Sequence, residues 1–69
     1  MPDSHAGLLV RRARRRRGLS QAGLARLAGT TQSAISRIEN GASVPSFDRV
    51  IELVGCLGLT LDLRLIERE

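Results

Sequence analysis

The stretch from Gly18 to Gly41 reads GLSQAGLARLAGTTQSAISRIENG, and its spacing sets two short helices against one another. Ser20 is a good N-cap, and Gln21 to Ala28 follows as a helix with Leu24, Ala25 and Ala28 on one face. Gly29-Thr30 makes a tight turn. Thr31 caps the next helix, Gln32 to Asn40, with Ala34, Ile35 and Ile38 inward, and Gly41 is a natural left-handed residue after it. Ala25 is small where two helices cross closely. Gly29 takes a positive φ without a Cβ penalty. Ile35 and Ile38 anchor the second helix by one side and leave its other side free.

Upstream, Ala6, Val10, Ala13 and Arg17 recur at helical spacing, so a first helix runs from Ser4 to Arg17, with Asp3 or Ser4 placed to cap it and Gly18 ending it. Beyond Gly41, Ala42 to Pro45 is a loop. Ser46 caps a fourth helix whose apolar residues Phe47, Val50, Ile51, Val54 and Leu57 follow the i, i+3, i+4, i+7 rule, and Gly58 closes it. The period then changes. Leu59, Leu61, Leu63 and Leu65 alternate with Thr60, Asp62, Arg64 and Ile66, which predicts a strand running to about Glu67. A lone strand leaves backbone groups unpaired, and the same strand from a second copy is the simplest partner. Leu61, Leu63 and Leu65 are therefore the expected dimerisation residues. Helix four, with Leu53, Cys56 and Leu57, is the alternative surface.

The chain of 69 residues is one domain, with a helical core over 4–58 and the strand over 59–67. A domain this small buries only about 60% of its unfolded surface, so oligomerisation is the expected stabiliser. Cys56 is the only cysteine, which excludes an internal disulfide, and no Cys/His cluster has the spacing of a zinc site. Cys56 reads as a partly buried small apolar residue. All eleven basic residues are arginine, against seven acidic ones, and the net charge is +4. Six of these arginines lie between Arg11 and Arg17. This balance favours an anionic partner, most commonly nucleic acid. No apolar run approaches the roughly 20 residues of a membrane span, and no basic-then-apolar leader opens the chain, so a cytoplasmic protein is expected, nucleoid-associated when bound to DNA.

Gly18 to Gly41 resembles the Cro/repressor-type, or XRE-type, helix-turn-helix DNA-binding family. The likeness extends through helix one and through PSFDRVIELVGCLG in helix four, covering about residues 6–58. It implies a mostly α, four-helix, lambda-repressor-like domain that binds double-stranded DNA. It further implies that Gln21 seats its helix on a phosphate, that Gln32, Ser33 and Arg37 face the major groove, and that Asn40 contacts a phosphate. Ser36 lies near the same face, and Thr31 is grouped with these DNA-binding residues. Gln suits adenine, and Arg suits guanine. Arg14 and Glu39 match a family pair tying helix one to helix three. Gly23 departs from the family, which favours an acidic residue there, and costs about 0.5–1 kcal/mol relative to Ala. The strand after helix four resembles HipB-like antitoxins, in which C-terminal strands of two subunits pair.

The Arg11–Arg17 run is either a solvated helix face or a phosphate-facing one, although Arg14 and Arg17 lie on the inward side. Ser33 and Ser36 are either base-contacting or simply small and exposed. His5 reads as solvated. No constellation of nucleophile and base, metal ligands or phosphate-cradling glycines is present, so no enzyme and no cofactor are expected. Two functions remain open: a homodimeric regulator, most simply a repressor, on a palindromic operator, or an antitoxin that binds a toxin protein and represses its own operon.

Overall fold

A computed structural model describes residues 4–68. Four helices succeed one another: α1 His5–Arg16, α2 Gln21–Ala28, α3 Gln32–Glu39 and α4 Phe47–Cys56. Each begins at a hydroxyl cap. The side chains of Ser4, Ser20, Thr31 and Ser46 accept from the amides of Gly7, Gly23, Ala34 and Arg49. A cap of this kind contributes about 1 kcal/mol, which matters for helices of two or three turns. Asp3, the other candidate cap of α1, lies outside the described residues.

The α2–α3 turn depends on Gly29. Its φ of 68° is left-handed, and the chain folds back so that the Thr30 amide donates to the Ala25 carbonyl at 2.9 Å. Val10 of α1, Leu24 of α2, Ile35 of α3 and Leu53 of α4 are fully buried together. Every helix thus contributes one residue to the centre of a single core. Ala13, Ala25, Ile38, Val50, Val54 and Leu57 surround them.

In α4 the observed inward face differs from the one that periodicity predicts. Val50, Leu53, Val54 and Leu57 are buried, whereas Phe47 is 58% and Ile51 43% exposed. Two apolar stripes overlap on this short helix, and packing against α1 and α2 selects the one through Leu53. The same rotation leaves Cys56 exposed, not partly buried. It also commits Leu53 and Leu57 to the chain's own core, which removes them as a dimer surface.

Residues 59–68 form no strand within the single chain. A strand is defined by its ladder, and no other edge is available among the described residues. The start of the segment is anchored: the Leu59 amide donates to the Val54 carbonyl, and Leu59 and Leu61 pack against the core. Leu63, Leu65 and Ile66 are exposed. The molecule measures 42 × 29 × 19 Å, and its radius of gyration of 12.2 Å exceeds the roughly 11 Å of a compact chain this long.

Candidate nucleic-acid interface

The site is built on α3. Ile35, Ile38 and Glu39 hold its inner side, while Ser33, Ser36, Arg37 and Asn40 form an i, i+3, i+4, i+7 stripe on the opposite side. Gln32, Ser33, Arg37 and Asn40 are exposed and Ser36 is half-buried, so the predicted residues lie together along one helix. Thr31 is also exposed. Its oxygen accepts from the Ala34 amide at 3.1 Å, and its hydroxyl proton remains free to donate outward.

Asn40 ends the helix in a way that aims its amide. Its Oδ1 accepts from the Ala42 amide at 3.0 Å, which fixes the orientation of the group and leaves both protons of Nδ2 unused. Arg37 makes no ion pair among the described residues. Its carbonyl receives the Ser43 amide at 3.0 Å, so the following loop is tied to the same turn. Between them lies a shallow depression of about 330 Å³ lined by Ala34, Arg37, Ile38 and Ser43. Groups fixed by backbone bonds lose little freedom on meeting a ligand.

Behind α3 stands a buried polar hub. Glu39 is 1% exposed. Arg14 meets it through two parallel bonds, Nε to Oε2 at 2.7 Å and Nη2 to Oε1 at 2.8 Å, and sends Nη1 to the Leu19 carbonyl. The expected pairing of Arg14 with Glu39 is therefore present in the geometry. Burial pushes the Glu39 carboxyl up. Hydrogen bonds from Arg14 and Gln21, with the charges of Arg14 and Arg11, outweigh that and hold it below the usual carboxylate range. The Arg14 guanidinium is raised, chiefly by its hydrogen bond to Glu39.

Gln21 belongs to this hub. Its Nε2 donates to Glu39 Oε1 at 3.2 Å and the residue is half-buried at the start of α2. One amide proton is thus spent inward, and the other proton and the carbonyl remain available. The contact joins residues on different helices, and no local sequence signal predicts it.

Three further residues brace the helices in ways the sequence did not specify. Arg11 donates from Nη2 to the Glu39 carbonyl at 2.9 Å and so satisfies the end of α3. Arg17 donates from Nε to the Leu57 carbonyl at 2.9 Å, capping α4. Gly7 lies where a Cβ would run into the Ile38 carbonyl oxygen, so α1 approaches the end of α3 more closely than any other residue allows. The remaining α1 arginines, Arg12, Arg15 and Arg16, are exposed and make no ion pair among the described residues.

Among the described residues no group of three His, Cys, Asp or Glu side chains is placed to hold a metal ion, and no helix is long and apolar enough to cross a membrane. No curated protein matches the chain. A helix-turn-helix family model matches residues 10–63, from the second turn of α1 into the C-terminal segment. With α2, the Gly29 turn and α3 in the arrangement that such a motif requires, the chain belongs to the XRE-type helix-turn-helix family of DNA-binding regulators.

Proposed function

We infer that the protein is a repressor that binds a palindromic operator as a homodimer, with α3 in the major groove of each half-site. The observation that carries this reading is the stripe Ser33, Ser36, Arg37 and Asn40, exposed on a helix whose opposite side is locked by Ile35, Ile38 and Glu39. Arg37 offers the two-pronged donor that matches guanine N7 and O6, and Gln32 offers the amide that matches adenine. Asn40, Thr31 and the free side of Gln21 have donors left for phosphates, which set register without choosing sequence. Two such helices related by a two-fold axis fit half-sites about 34 Å apart. Dimerisation through residues 59–67 supplies that axis: antiparallel pairing of two copies satisfies the open backbone edge and closes the assembly.

Selection of bound sequences from random DNA tests the reading. It predicts a two-fold symmetric consensus; an asymmetric or absent consensus contradicts it. A second reading, an antitoxin whose toxin covers part of the surface, draws support from Val44, Phe47 and Ile51, apolar residues left exposed around the start of α4. Recovery of a stable one-to-one complex with the product of an adjoining gene would favour it.

A further inference from the structure

Beside the C-terminal segment, between it and α1, runs a groove of about 510 Å³. Leu9, Ala13, Val54 and Leu61 make it apolar, and Arg12 and Arg16 stand along its α1 side. Residues 60–68 make no backbone hydrogen bond to any other part of the described chain. An apolar channel with a cationic wall thus lies alongside a segment whose backbone groups are unpaired within the described chain.

We propose that this groove seats the C-terminal segment of a second copy, paired antiparallel about Leu63, with the partner's Leu65 beside Leu61 and the partner's Glu67 against Arg12 and Arg16. The inference rests on the homodimeric reading above and adds its register and its docking surface.

The register follows from which residues then stand opposite one another. Directly opposed residues of an antiparallel pair point to the same side of the ribbon. About Leu63, Leu61 opposes the partner's Leu65 in both halves, and Leu63 opposes itself. The groove side of the ribbon is therefore a continuous row of leucines. On the other side Asp62 opposes the partner's Arg64 twice. Within one chain these two already attract, Arg64 Nη2 to Asp62 Oδ2 at 3.1 Å, at the surface.

The neighbouring registers are worse. Centring on Asp62 or on Arg64 sets like charges face to face, which is unfavourable. A shift of half a step opposes leucines to charged residues and breaks the two-sided pattern. Centring on Leu65 sets Leu63 against the partner's Glu67. Centring on Leu61 drives the partner's strand past Gly58 into the end of α4.

The groove also matches what arrives in it. Leu65 and Glu67 lie on the same side of an extended chain, two residues apart. Leu61 and Leu59, which they oppose, both line the groove with Arg12 and Arg16. The partner's apolar and acidic side chains thus meet an apolar floor and a cationic wall. Arg17, bonded to the Leu57 and Gly58 carbonyls, holds the segment at the angle from which it leaves α4.

Disulfide trapping in the full-length chain, with Cys56→Ser in every variant, tests the proposal. Opposed strand residues have Cα atoms about 4.5–5.5 Å apart, within disulfide reach. Positions four residues apart along the strands are about 13 Å apart and out of reach. Leu63→Cys should therefore cross-link with itself under mild oxidation. Leu61→Cys and Leu65→Cys should each fail alone and cross-link when mixed. Glu67→Arg should weaken the dimer several-fold in sedimentation.

Those results together support the proposal. A dimer in sedimentation that cross-links in another pattern, or that ignores Glu67→Arg, overturns this register or this docking surface and leaves the homodimer standing. A chain that stays monomeric at all concentrations overturns both.

Discussion

Arg14 and Glu39, 25 residues apart in sequence, are joined by two parallel hydrogen bonds of 2.7 and 2.8 Å in the interior of the domain. The pair bolts α1 to the back of α3. Removing one member of a buried pair strands the other charge and costs about 3–5 kcal/mol. A 69-residue domain has total stability of roughly 3–10 kcal/mol, so Arg14→Ala or Glu39→Ala should remove a large part of it. Replacing both by leucine should be far milder than the sum of the single losses. Urea denaturation of the four chains measures the coupling, and strict additivity would show that the two residues act independently.

Acid should act through the same carboxylate. Glu39 is depressed below its ordinary value, so the unfolded chain takes up its proton first as pH falls. The stabilisation is fully present above the ordinary glutamate value, about 4.3. It is lost as pH falls through the lower folded value. Melting temperatures of the parent should therefore drop more steeply below about pH 4.3 than those of Glu39→Gln. Parallel acid limbs in the two proteins would reject this.

Two glycines in helices should respond oppositely to alanine. At Gly7 the new methyl would collide with the backbone of Ile38, and overpacking of this kind costs about 1–3 kcal/mol. At Gly55 it would meet nothing within 4 Å, and α4 should gain about 0.5–1 kcal/mol. Thermal or urea unfolding separates the two signs.

The helices were legible in the sequence because their ends are chemical. Ser20 and Gly29 bound α2 as predicted, and Ser46 begins α4. The inward phase of α4 was not legible. Phe47, Val50, Ile51 and Val54 make as good a stripe as Val50, Leu53, Val54 and Leu57, and only contact with α1 and α2 decides between them. The alternating leucines predict a strand, and none forms among the described residues: Leu59 and Leu61 pack on the core, and Leu63 and Leu65 are exposed. A ladder is a property of two edges, and alternation within one segment does not tell whether a second edge exists. In the site, the outward stripe of α3 followed from the inward one. The tie from Gln21 to Glu39 spans two helices and leaves no local trace.

Removing residues 62–69 should separate folding from assembly. Leu59 and Leu61 stay on the core, so helices α1 to α4 should keep their stability. The exposed Leu63 and Leu65 are lost, and with them the proposed dimer and its avidity for two half-sites should go. Sedimentation and DNA titration of the shortened chain check this. A shortened chain that stays dimeric would move the interface elsewhere.

That α3 reads DNA through its outward stripe is tested most directly at Arg37, which is exposed and makes no ion pair among the described residues. The measurement is the affinity of parent and Arg37→Ala for the selected operator and for random DNA at one fixed salt concentration. Affinity for the operator should fall by about 1–3 kcal/mol, or about 5–150-fold, with a much smaller loss on random DNA. Equal losses on both would place Arg37 on the phosphate backbone and contradict the assignment of α3 as the element that reads base sequence through this residue.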